Sequence, residues 1–242
     1  MTAAFRVPVL YYHRVSPDAD PRTGVTPEQF EAQMAILRRL GFLGTSLDRA
    51  ITGWEEGARE DLIALTFDDG YEDNYVYAAP ILERYGFVAT IYFVAERMGQ
   101  RVDWTGDPLW AGHPLMEASM ARDLVARGFE AGSHTLTHPD LVKIPDRLAR
   151  REIRESRERL SQELSCPVTT FCYPYGSFGD NHPAMVREAG YRAARTVRRY
   201  RFGGRPDPFR MACRPVSGRM GILRFYLTLL SYRMGLRGGD AP

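Results

Sequence analysis

Two adjacent carboxylates, Asp68 and Asp69, close an apolar run from Leu62 to Phe67 and are followed by Gly70. Two histidines, His134 and His138, stand four residues apart in Ser133-His134-Thr135-Leu136-Thr137-His138-Pro139. A carboxylate at one strand end and a His-x-x-x-His at another match the two-histidine, one-carboxylate inventory of a catalytic metal site. Thr135, not glutamate, follows His134, so this is not the helical zinc motif of metalloproteases and any general base must come from elsewhere. Asp68 is the free carboxylate. A third stretch, Phe171-Cys172-Tyr173-Pro174-Tyr175-Gly176, makes a stiff turn that can aim backbone N–H groups at a substrate oxygen. Each stretch alone has a plainer reading: an Asp-Asp-Gly turn, satisfied structural histidines, an aromatic turn packing a rim. A glycosidase is disfavoured, because its two carboxylates must flank the bond at about 5 Å or more.

These residues need a scaffold that brings distant strand ends together. Leu62–Phe67 reads as a strand buried on both faces, as in a parallel sheet covered by helices. Residues alternate faces along a strand, so both carboxylates reach one site only if the chain bends, which Gly70 can supply. Further strands read at Val7–Tyr12, Phe87–Val94, Phe129–Ser133, Val168–Cys172 and Tyr191–Thr196. Helices read between them: one opened by a Thr26, Pro27, Gln29 capping box, one over 73–85 interrupted by Pro80, then 115–127 and 144–164. Pro139 disfavours helical geometry at His138, which places both histidines on a loop. The stretch 95–114, with two tryptophans, reads as a long functional loop. Alternation of strand and helix gives an α/β fold with a mostly parallel sheet, in one domain over 1–242.

Composition narrows the class. Of the 242 residues 44% are hydrophobic, enough for a core, and a net charge of +2 argues against a dedicated nucleic-acid binder. Three cysteines with no Cys-x-x-Cys pair argue against a disulfide framework. The chain opens straight into strand-like sequence, without a signal peptide, so a cytoplasmic protein is expected.

Thr66-Phe67-Asp68-Asp69-Gly70, Ser133-His134-Thr135 through His138, and Tyr173-Pro174-Tyr175-Gly176 resemble the first three motifs of the NodB-homology polysaccharide deacetylases, carbohydrate esterase family 4. The likeness runs in order from about Val7 to Arg214. It implies an irregular (β/α) barrel with a divalent metal, commonly zinc, at its C-terminal rim. It also implies a hydrolase that removes N-acetyl groups from N-acetylhexosamine units of a polysaccharide or glycan precursor. By resemblance Asp69, His134 and His138 bind the metal, Asp68 is the base, and the Tyr175 N–H helps hold the oxyanion. Tyr173 and Pro174 fall on the substrate-binding side. Two departures stand out: Cys172 occupies the place where family members usually have arginine, and no histidine follows His182 to supply the usual Leu-x-His acid. Tyr11-Tyr12-His13 instead resembles the permuted poly-N-acetylglucosamine deacetylases of biofilm matrices, which makes His13 the expected acid. Arg214, also on the substrate side, is the candidate to orient Asp68. Alternatives are a deformylase or amidase of the same fold acting on a lipid-linked sugar, and a catalytically impaired glycan-binding protein.

A C-terminal helix is expected over about 218–237. It is too short and too charged to span a bilayer. Its plain role is to pack on the barrel; its other reading is an interfacial helix with Arg219, Arg224, Arg233 and Arg237 near anionic lipid. The sugar and the oligomeric state are not encoded legibly.

Overall fold

Residues 8–57, 61–197 and 207–233 are described by a computed structural model. Its axis is the apolar Leu62–Phe67 run, which forms a strand buried from Ile63 onward. In chain order the elements are β1 (Val9–Tyr12), β2 (Arg14–Val15), β3 (Gly24–Val25), α1 (Pro27–Arg39), β4 (Leu43–Thr45), α2 (Leu47–Glu55) and β5 (Leu62–Phe67). They continue with α3 (Ala79–Arg84), β6 (Thr90–Phe93), α4 (Ala118–Ala126), β7 (Glu130–Ser133), α5 (Asp146–Leu164) and β8 (Thr170–Cys172). The last are α6 (His182–Glu188), β9 (Ala193–Arg195), β10 (Arg214–Pro215) and α7 (Ile222–Arg233).

One eight-stranded sheet runs in the order β10-β1-β5-β6-β7-β8-β9, with β4 also paired to β5. All its pairings are parallel. Met211 lies on the edge of β9, where its N–H donates to the Ala194 carbonyl and the Thr196 N–H donates to the Met211 carbonyl. The chain then joins β1 through β10, so the sheet curls into an irregular (β/α) barrel. Parallel strands need long crossovers, and the helices supply them. The consequence for function is that every strand delivers its C-terminal residue to the same rim.

Helix α1 shows how sequence fixes the packing. Thr26 accepts from the Gln29 N–H, and the Gln29 side chain returns the bond to Thr26. Phe30, Met34 and Leu37 recur at helical spacing and are fully buried. Phe30 meets Tyr12 edge-on at 5.1 Å and Phe67 at 5.8 Å, next to the C-terminal end of β5. Burial of each such side chain stabilises the fold by about 1.5–3 kcal/mol.

Several boundaries move inward. The first strand begins at Val9, and Val7 lies outside the described residues. The helix expected over 73–85 opens instead as a π-helical turn, Asn74–Ala78, before α3, with Pro80 in the opening turn of α3. The C-terminal helix is shorter than expected at its start, and Arg237 lies outside the described residues. Only part of its apolar surface packs: Phe225 and Leu229 are buried, whereas Ile222, Leu223, Tyr226 and Leu227 are exposed. No described helix is long and apolar enough to cross a membrane.

Candidate active site

The β5 end turns at once. Asp69 has φ 68° and Gly70 φ 73°. The bend therefore starts on Asp69 itself, one residue ahead of the glycine expected to supply it. A left-handed non-glycine residue costs roughly 1–2 kcal/mol, and such strain gathers where side chains must be aimed. Thr135 (φ 70°), His138 (φ 64°) and Tyr175 (φ 57°) share this conformation on the same rim.

The histidine loop leaves β7 as expected and is held from outside by α5. Glu152 accepts from the N–H groups of Leu136 and Thr137 at 2.9 and 3.0 Å and from the Thr137 hydroxyl at 2.8 Å. The His138 N–H donates to Thr135 Oγ1 at 3.0 Å. Together these bonds aim both rings at Asp69. His134 Nε2 lies 3.5 Å and His138 Nε2 3.4 Å from Asp69 Oδ1, and all three residues are buried.

Whether this trio suits a metal can be judged from its own atoms. Three ligands at ~2.1 Å in tetrahedral geometry stand about 3.4 Å apart, close to the spacings found. Asp69 Oδ1 and His138 Nδ1 are buried and have no hydrogen-bond partner among the described residues. His134 Nδ1 donates to the Cys172 carbonyl at 2.8 Å, which fixes the tautomer and leaves the Nε2 lone pair facing Asp69. Burial pushes the His134 imidazole down to about 3, so it is neutral and able to ligate. Burial opposes charge on Asp69, but the His138 imidazole 3.4 Å away, with His13 and His134 nearby, outweighs it and holds the carboxyl well below its usual range. The trio fits a divalent ion of the zinc type. A second grouping, Asp68 with His134 and Cys172, fits worse: burial pushes the Cys172 thiol up and Asp68 is already paired.

Asp68 lies beside the trio, close to His134. One oxygen forms an ion pair with Arg195, at the end of β9, and the other lies 3.9 Å from His13 Nε2. His13 follows β1 and its side chain is a quarter exposed. Its backbone is pinned by Asn74 from the π turn, whose Nδ2 donates to the His13 carbonyl at 2.9 Å. Next to it Arg14 pairs with Asp73 at 2.7 Å. Burial pushes His13 down to about 4, with Asp69 pulling it up and Arg195 further down.

The 95–114 stretch walls the site with both its tryptophans. Trp104 stacks on His138 at 4.6 Å, and Trp110 tilts over His13 at 4.7 Å. Tyr175 is 53% exposed and meets His138 edge-on at 4.8 Å.

Three expectations need correction. Arg214 does not reach Asp68; it sits low on β10 beside Leu10 and donates to Thr228 of α7 at 3.3 Å. Arg195 takes the carboxylate instead. Tyr173 is fully buried, stacks on Phe178 at 4.8 Å and donates its hydroxyl to the Phe209 carbonyl at 3.0 Å. Pro174 is buried as well, so these two side chains hold the turn rather than line a cleft. A weak signal for Arg195 existed: it falls within the expected Tyr191–Thr196 strand, where an inward-facing arginine needs a buried partner. Asn74 and Glu152 act through backbone contacts and left no comparable trace.

A parallel barrel with an Asp-Asp turn and a His-x-x-x-His loop on one rim defines a class of barrel hydrolases. The chain belongs to the polysaccharide deacetylase family, whose family model matches residues 55–194. It is 27% identical over 194 residues to the YxkH protein of Bacillus subtilis, covering 79% of this chain and 64% of YxkH. It is 26% identical over 153 residues to a chitooligosaccharide deacetylase of Sinorhizobium fredii, covering 61% of this chain and 62% of that protein. The chain thus spans somewhat under two thirds of these relatives. In structure it superposes on the Streptococcus pyogenes deacetylase PplD in complex with acetate, with TM-score 0.79 and 20% identity over 93% of this chain and 99% of that one.

Proposed function

We propose that the protein is a metal-dependent N-deacetylase acting on N-acetylhexosamine units of a polysaccharide or glycan precursor. The observation that carries this reading is the convergence on one rim of a three-ligand cluster with a paired base and an imidazole, Asp68 and His13. The chitooligosaccharide deacetylase among its relatives supports an acetylated amino sugar as substrate.

Asp69, His134 and His138 would hold the ion. When bound, a zinc-type ion supplies Lewis acidity to the acetyl carbonyl and lowers the pKa of water to about 7. The chain's own residues do the rest. Asp68, ion-paired with Arg195, takes a proton from the attacking water. The Tyr175 N–H, presented by its left-handed backbone, faces the oxygen on which charge develops. His13 gives a proton to the departing amine. Because His13 rests neutral and lies 3.9 Å from Asp68, the proton collected by the carboxylate is the one it passes on. Trp104 and Trp110 shield the ligand His138 and the acid His13 from bulk water.

The test is acetate release from N-acetylglucosamine oligomers by zinc-reconstituted protein, with Asp68→Asn as control. Release by wild type that falls at least about 10²-fold in the variant is expected for loss of an acid–base group. Equal release by both would remove Asp68 as base.

A further inference from the structure

We infer that Arg195 is the positioning residue for Asp68, and that it does from β9 what a side chain at position 172 would otherwise do from β8. The inference rests on the deacetylase reading for its assay, but its structural basis is independent. Arg195 has no exposed surface and heads the largest fully buried side chains of the protein. A guanidinium in that setting needs a counter-charge, and Asp68 is the carboxylate it meets among the described residues. The rings of Tyr11 on β1 and Tyr92 on β6 lie 5.0 and 4.9 Å from its Cζ, so cation–π contacts from two other strands of the barrel hold the guanidinium. Gly132 makes room for this arrangement: a Cβ there would lie 2.4 Å from the Tyr92 ring.

Positions 172 and 195 are direct neighbours in the β8–β9 register. The Cys172 Sγ lies 3.9 Å from each Asp68 oxygen, so a side chain at 172 points at the same carboxylate. The small thiol leaves the space that the Arg195 guanidinium fills. One large cation fits there, reached from either strand, and two would overfill it and repel.

That geometry is tested by exchanging the two residues. With zinc-loaded full-length protein, Arg195→Met is expected to lower kcat about 10²-fold by letting Asp68 drift, with KM within about twofold and zinc content unchanged. Cys172→Arg alone is expected to be similarly impaired. The reciprocal double variant Cys172→Arg/Arg195→Cys is expected to recover at least about tenfold over either single variant, a non-additivity that independent sites do not give. Added guanidinium should partly restore Arg195→Ala. Should Arg195→Met fail to fold, Arg195→Lys keeps the buried charge but loses the planar fork, and the same drop in kcat at constant KM is expected. A folded, zinc-loaded Arg195 variant with unchanged kcat overturns the inference, and so does a double variant no better than its parents. If wild type releases no acetate from any acetylated sugar, the deacetylase reading falls instead. A crystal structure of Arg195→Met then decides this point alone: Asp68 turned away from His13 supports it, and Asp68 unmoved refutes it.

Discussion

Asp69→Asn gives the sharpest separation between a metal site and a merely structural cluster. The Asp69 carboxylate is 5% exposed, and the imidazoles around it outweigh the cost of burial, so its ionised form favours the fold. Asparagine keeps the shape and removes that charge. The chelated variant should therefore be less stable than chelated wild type by about 1–3 kcal/mol. For a chain of this length each kcal/mol moves the midpoint by roughly 2–4 °C, so the fall should be several degrees. Zinc widens the gap: at 100 times its Kd it should stabilise wild type by about 2.7 kcal/mol and the variant by far less. Calorimetric melts of both proteins, after chelation and with zinc, measure all four values. A chelated variant that melts with chelated wild type, and gains as much from zinc, would refute the assignment of Asp69 as a buried, ion-ready ligand.

Other perturbations address the groups around His13 and the walls. Asn74→Ala removes the bond to the His13 carbonyl, and steady-state kinetics should show kcat reduced roughly 10–100-fold with zinc content unchanged. Trp110→Ala uncovers His13, and the KM for oligomers should rise roughly 3–10-fold, in line with the loss of about 0.5–1.5 kcal/mol of aromatic contact. His182 is 3% exposed, its Nδ1 accepts from the Gly179 N–H at 2.7 Å, and burial lowers its pKa. Its contribution is therefore complete above about pH 6.5 and is lost as pH falls, because the unfolded chain takes the proton first. Denaturant melts of His182→Gln should show a shallower decline between pH 7 and 5 than wild type.

The sheet was readable because its strands are short apolar runs closed by turn residues, as at Leu62–Phe67 and Phe171–Gly176. The clustering of Asp69 with His134 and His138 was readable because they sit in contiguous motifs beside those ends. What escaped reading depends on contacts between strands. Arg195 pairs with a residue 127 positions earlier, a relation that neither periodicity nor spacing encodes. Arg214 looked equivalent in sequence, but its register with Leu10 places it too far from the rim. The Tyr173 ring looked like a cleft residue, yet strand alternation sends it inward to Phe178 and Phe209. The π turn at Asn74 was hidden because the same residues suit an ordinary helix.

Four residues of the rim, Asp69, Thr135, His138 and Tyr175, adopt a backbone shape that glycine would take more comfortably. Glycine at any of them would ease the chain while deleting the carboxylate, the imidazole, the hydroxyl bracket or the aromatic edge that the position presents. Efforts to harden this protein against heat by smoothing unfavourable torsions should therefore pass over these four sites. Their tension belongs to the tool itself, and gains are to be sought in the helical shell.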